Sequence, residues 1–566
     1  MKARTVGINA TIPAVVGVEV AVIAALLIFP PGRMSWWPTV AAGVIAAAAL
    51  MVTVYRRNVF RWIADRVRWG RRRRRNNPPA AAVDIPHGAS LYGVRVSDRF
   101  DGEAITMIEV TGQAYTPTLL TGSATALTPN LLPLDALTGL LDQPGGIRLS
   151  SIDVVSSGLR VRRGAGYPPL YSTLLADRPA AGQRRTYLVV RLDIAESVEG
   201  LGYRTTVGAA AAAATERIVN ALLQRGVRAN ALTAKDLDGA LVDLGAGLAV
   251  VPDEPEPDAA AGPRRPKPIA PTEAWRSVEA HPGYLTSYYF SPEDITTSTL
   301  NQMWALRSDA VVQTISLTKK RGPTEDRPWV SALVRVNDPQ APTRPPTLYL
   351  NQLPGFQGPA AERSAPLPRR FDAMPARPLD AAPLDLPVGS SGVLVGTTQR
   401  GDLLLLSLTD PDQATRIALH TGMPYACQVL VRAAAVGERI AIYTDKPARW
   451  RALEQPLIAV VDRRHPPEFV PSIIVSDRAS GPPPAGLAST VITVGDSAEV
   501  WGYHPPAGQG ESTNYSERNA PTPDLSITQI SASTVRISTS AFSTDVQIAT
   551  FKAEQPFLGG AAGQTA

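Results

Sequence analysis

The chain has 566 residues, 56 Lys plus Arg against 50 Asp plus Glu, a net charge of +6 and one cysteine. That length has room for several domains, while the lone Cys427 excludes an intrachain disulfide framework and fits a reducing compartment. Most of the positive excess sits in residues 56–75, and elsewhere aromatic and basic residues are not interleaved, so the composition speaks against a nucleic-acid binder.

Two apolar segments come first, Thr11–Pro30 and Pro38–Tyr55, separated by a short turn carrying Arg33, Trp36 and Trp37. Each is about as long as a helix that crosses a bilayer core. Lys2 and Arg4 precede them; Arg56, Arg57, Arg61, Arg66, Arg68 and the run Arg71, Arg72, Arg73, Arg74, Arg75 follow. Positive charge stays on the cytoplasmic side, which predicts a two-helix transmembrane hairpin with both termini and the soluble domains in the cytosol. A cleaved signal peptide is the rival reading of the first segment, but a second apolar segment with a stronger basic stop follows at once. Glu19 falls inside the first span. An ionisable intramembrane residue is costly there, and it reads as protonated or hydrogen-bonded to a neighbouring protein's helix. The arginines read as an anchor on anionic lipid head groups. Val59, Ile63 and Val67 recur at helical spacing, which predicts either a surface-lying helix over 57–69 or a solvated basic stop signal.

The fold class predicted for the whole is α+β: the hairpin (1–56), a basic juxtamembrane helix and linker (57–89), a first α/β domain (90–250), a Pro-rich linker (251–273), a second α/β region with a Pro-rich insertion (274–464) and a β-rich tail (465–566). In the first domain, Ile147–Val161 and Thr186–Asp193 read as strands that pair with each other. Ala209–Arg225 reads as a helix closed by Gly226, and Thr233–Leu244 as a second helix capped by Thr233 with Asp236 three residues on. In the second region Gly392–Asp410 reads as a hairpin across Arg400-Gly401-Asp402. The Ser/Thr-rich tail from Ser472 to Phe557 reads as four or five short strands.

Few residues carry a chemical signature. Neither GxxxxGK[ST] nor GxGxxG occurs, which excludes a phosphate-loop ATPase. The five histidines are scattered singly, without partners at metal-ligand spacing, and no cofactor or metal is called for. Two Asp-x-Asp pairs remain, of which Asp236–Asp238 lies in the first turn of a predicted helix and serves its dipole. Asp410 and Asp412 end the apolar strand Leu403–Leu408, where a nucleotide-sugar transferase holds Mg²⁺ or Mn²⁺. Asp-Pro-Asp is also ordinary turn chemistry, and that reading is preferred.

Three stretches, Leu132–Val161, Thr186–Asp193 and Gly392–Pro411, behind an N-terminal apolar pair and an Arg-rich exit, resemble EccE, a membrane component of the type VII (ESX) secretion machinery. The resemblance covers about Met1 to Asp462 and implies a non-enzymatic plasma-membrane scaffold at the periphery of a complex with EccB, EccC and EccD. It brings no catalytic residues. In that system EccC supplies the motor, in keeping with the missing ATPase motifs here. The chain is long for such a protein through its Pro-rich insertion and β-rich tail. The alternative is a tethered glycosyltransferase-like enzyme using Asp410 and Asp412.

Overall fold

The two apolar segments form helices α1 (Ile12–Ile28) and α2 (Trp37–Met51), and the basic stretch forms α3 (Val59–Arg72). The structure, a computed structural model, describes residues 6–8, 12–28, 36–54, 58–72, 80–96, 102–123, 125–159, 170–245, 271–280, 283–321, 326–367, 374–461, 467–478, 490–495 and 522–558. α1 and α2 pack closely because glycines face the partner helix: a Cβ on Gly17 would stand 2.9 Å from Leu50, and one on Gly43 3.1 Å from Val22.

The transmembrane hairpin is corrected by these helices. α1 has 17 residues and α2 has 15, roughly 25 and 22 Å at about 1.5 Å per residue, against a hydrocarbon core of about 30 Å. Val52–Val54, expected to complete the second span, leaves the helix and pairs antiparallel with Val6–Ile8. Among the described residues no helix is long and apolar enough to cross a membrane. The expected fold class, with its leading hairpin, and the multi-pass plasma-membrane localisation with cytosolic termini fall with it. Sheet dominates the chain instead.

The next elements are β1 (Ser90–Val96), β2 (Glu103–Thr111), β3 (Pro117–Thr121), β4 (Ile147–Leu159), β5 (Gln183–Asp193), α4 (Val207–Gln224), β6 (Arg228–Ala231) and α5 (Ala234–Gly245). β7 (Val278–Ala280), β8 (Gly283–Phe290), β9 (Ala310–Lys320), β10 (Arg327–Asp338) and α6 (Gln357–Arg363) follow. Except for β3, the strands form one antiparallel sheet whose main path is β7-β8-β10-β9-β4-β5-β2-β1, with β6 added beside β2. α4 starts on the Thr206 side chain, which accepts from the Ala209 amide, and lays Ala210, Ala211, Ala214, Ile218 and Leu222 against one sheet face. The small alanines let the helix axis approach closely. α5 covers the opposite face through Leu237, Ala240 and Leu244.

This sheet repeats itself about its centre. On either side of the β4–β9 seam, three strands of the main path, taken in chain order, lie in the spatial order second, third, first, and the main-path strand before them pairs with the first. Val154 and Ile315 pair across this seam. Arg191, opposite Ser151, and Arg335, opposite Val312, occupy equivalent places, and both are buried. Arg191 donates to Asp153 (2.7 Å) and to the carbonyls of Ala365 and Leu367, just past α6. Arg335 donates to the carbonyls of Leu244, in the last turn of α5, and Ala361 in α6. Helix C-termini present unsatisfied carbonyls that favour cations, so each half of the sheet fastens helix ends from the layer above.

The second sheet is built from β11 (Val393–Thr397), β12 (Leu403–Leu406), β13 (Thr415–His420), β14 (Ile440–Thr444), β15 (Ile458–Val461), β16 (Ile473–Asp477), β17 (Thr490–Gly495), β18 (Leu525–Ser531), β19 (Thr534–Thr539) and β20 (Ser543–Gln547), together with β3. Its path is β15-β14-β16-β17-β13-β18-β19-β20-β11-β12-β3; neighbours from β15 to β18 are parallel and the rest antiparallel. Helix α7 (Met423–Val436) connects β13 to β14 and buries Tyr425, Cys427, Leu430 and Ala434 in the second core. It ends on Gly437, whose φ of +110° only glycine adopts without strain. The sheets therefore interleave the sequence: β3 leaves the N-terminal segment for the second sheet, the chain returns to the first at β4, and β7 to β10 complete that sheet from beyond residue 270.

Candidate functional site

The acidic pair read from the sequence sits where the two sheets meet. Asp410 and Asp412 lie on the loop between β12 and β13, facing β2 and β6 of the first sheet. Arg228, the first residue of β6, donates from Nη1 to both Asp410 oxygens (2.9 and 2.8 Å) and approaches Asp412 at 3.5 Å. Its Nη2 donates to the carbonyl of Gly112, and the Thr111 hydroxyl donates to Asp412 at 2.8 Å. Within the loop the Asp412 amide donates to Asp410 Oδ1 (2.9 Å), the local turn bond that Asp-Pro-Asp favours.

The arrangement is an interdomain clamp. Asp410 is 5 % exposed and its two oxygens face a guanidinium. A divalent cation would have to displace Arg228, an exchange the buried pair disfavours. No cluster of three or more His, Cys, Asp or Glu able to hold a metal occurs among the described residues.

Two cavities flank the clamp and share Thr111, Gly112, Gln113 and Asn130 on their walls. One, of about 790 Å³, is lined by Tyr115, Asp410, Asp524 and Phe542. The other, of about 830 Å³, is lined by Glu109, Arg185, Tyr187, Lys235 and Asp412. Burial raises the Glu109 carboxyl above the usual carboxylate range, partly offset by Arg185, and burial pushes the Tyr115 phenol up to about 12. Cations and anions line the second cavity in near balance, so its charge does not select one sign of ligand.

The other residues singled out by sequence lie apart from this cleft. Glu19 is exposed on α1. On α3, Trp62 and Trp69 pack on Trp275 with ring centroids 5.8 and 5.6 Å apart. The Arg66 guanidinium lies 4.7 Å from both the Trp69 and the Trp275 ring centroids, so this arginine serves packing. Arg61, Arg68 and Arg71 are exposed, with Arg68 3.8 Å from Asp65; Arg72 closes the helix. Arg56, Arg57, Arg73, Arg74 and Arg75 lie outside the described residues, as do most of the linker before residue 271 and the Arg33 turn. Arg228 and Thr111 carried no sequence signal. They reach the loop over separations of 182 and 301 residues, which local pattern does not record.

Fold and site together define a two-sheet protein in which the Asp410–Asp412 loop is a structural clamp. Comparison with known proteins adds the family. A family model described as a type VII ESX secretion system translocon, EccE, matches residues 180–290, from the start of β5 through β8. The ESX-2 secretion system protein EccE2 of Mycobacterium tuberculosis is 28 % identical over 92 % of this chain and 91 % of its own length. The ESX-5 protein EccE5 of the same species is 28 % identical over 63 % of this chain and 87 % of its own length, and the ESX-1 protein EccE1 26 % over 72 % and 77 %. The chain is a relative of the EccE proteins. Its length, which set it apart in the sequence reading, is shared with the ESX-2 relative.

Proposed function

We propose that this chain is a non-enzymatic scaffold subunit of a type VII (ESX) secretion complex that contacts other subunits of the assembly. The observation that carries the reading is the likeness to EccE2 along nearly the whole chain, supported by the coupling of the Asp410 carboxylate to Arg228. In this reading the exposed Arg61, Arg68 and Arg71, together with the neighbouring arginines of residues 56–75, contact anionic groups of the assembly's surroundings, lipid head groups among them.

Export of the complex's cargo in a strain lacking the chain tests the proposal. Complementation by the Asp412→Asn variant, which leaves Asp410 to hold Arg228, is expected to restore export to the wild-type level. Failure of the wild-type chain to restore export would overturn the secretion reading. Failure of Asp412→Asn alone, with the protein folded and present in normal amount, would overturn the non-enzymatic part.

A further inference from the structure

The α1–α2 pair has little contact with either sheet, and its apolar surface is incompletely used. Only Ala14 and Ala25 of α1 are buried, on the side that meets α2. On the outer side Ile12, Val16, Val20, Ile23 and Leu27 are 48 to 82 % exposed. Their spacing puts them on one helical face, and Glu19, also exposed, falls on that face near its middle.

We infer that this face of α1 docks a helix of another subunit, apolar along its length and presenting a cation or hydrogen-bond donor to Glu19. The inference rests on the secretion-subunit reading and adds the surface and the chemistry of the partner. Five aligned apolar side chains at these spacings suit a helix seam, in which a lone polar residue sets register and partner choice. Charge complementarity selects the occupant. A carboxylate desolvated against hydrocarbon alone is strongly disfavoured. A second copy docking symmetrically through the centre of this face would bring Glu19 against Glu19, since a two-fold interface joins a patch to itself, and like charges there repel. A heterologous helix with Lys, Arg, His or an amide opposite Glu19 meets both requirements.

The test uses the full-length chain in its native complex, with a photoactivatable benzoylphenylalanine at Val20. The expected product is an adduct to a different polypeptide, whose cross-linked peptide is an apolar helix carrying a basic or amide side chain within one turn of the linked residue. Glu19→Arg is expected to lower the adduct yield about tenfold, as breaking one desolvated charge contact implies. Changing the partner's cation to Glu should restore it in the Glu19→Arg background. Glu19→Leu serves as a second variant should the arginine disturb the hairpin, and it too should lower the yield. Adducts to a second copy, adducts to lipid alone, a linked helix without a donor, or a yield indifferent to Glu19 would each overturn the inference, as would no adduct from a chain that still co-migrates with the complex. A chain that does not co-migrate at all would instead overturn the secretion-subunit reading.

Discussion

Arg228 is the side chain on which the junction of the two sheets turns. Removing Asp410 leaves a half-buried guanidinium without its bidentate partner, so Asp410→Ala should lower the unfolding free energy by about 3 kcal/mol, read by urea denaturation. Asp412 is more exposed, at 29 % for its side chain, and Asp412→Ala should cost no more than about 1 kcal/mol. Equal costs would contradict the clamp geometry. The sequence carried the turn but not its partner: Asp-Pro-Asp is local chemistry, whereas nothing around Arg228 marks it as an ion-pair residue. Cys427 behaves as its apolar neighbourhood implies. Burial pushes its thiol from 9.0 up to about 11, so alkylation of the folded protein at pH 8 should run about a hundredfold slower than that of a free thiol. Between those two values the unfolded chain has released a proton that the folded chain keeps. This group's contribution to stability is therefore full below pH 9 and is lost as pH rises toward 11, a fall that Cys427→Ala should flatten.

At the scale of elements, regular local signals were legible. α4 and α5 lie within two residues of the helices expected at Ala209–Arg225 and Thr233–Leu244, with the Thr233 hydroxyl accepting from the Asp236 amide at 3.3 Å. β4 pairs with β5 as expected, and β11 with β12 across Gly401 at φ +84°. The apolar N-terminal segments misled because hydropathy records how apolar a stretch is and not how far its helix runs. Here Val52–Val54 leaves α2 to pair with Val6–Ile8. The C-terminal element is fixed by a pair no periodicity reveals: Arg432 of α7 donates to Glu554 at 2.5 and 3.0 Å, both side chains fully buried. Glu554→Ala and Arg432→Met should each destabilise by about 3 to 5 kcal/mol, while the Arg432→Met/Glu554→Leu double variant should recover most of the loss. Additive losses in chemical denaturation would contradict the pairing.

For the whole molecule, long-range pairing is what the sequence left unread. Strand spacing is local, but the seam joins β4 to β9 and the second sheet recruits β3 beside β12, contacts separated by more than 150 residues. Each half of the chain thus completes a sheet of the other, and proteolytic nicking between residues 251 and 270 should leave two fragments that stay together on gel filtration. Fragments that separate would contradict the interleaved topology. Membership in the assembly is tested most directly by the size and composition of the tagged full-length chain released in mild detergent, run on a native gel with mass spectrometry of the co-migrating chains. A very large species containing an ATPase and further secretion subunits is expected; a lone monomer or dimer, stable across several detergents, would contradict that membership.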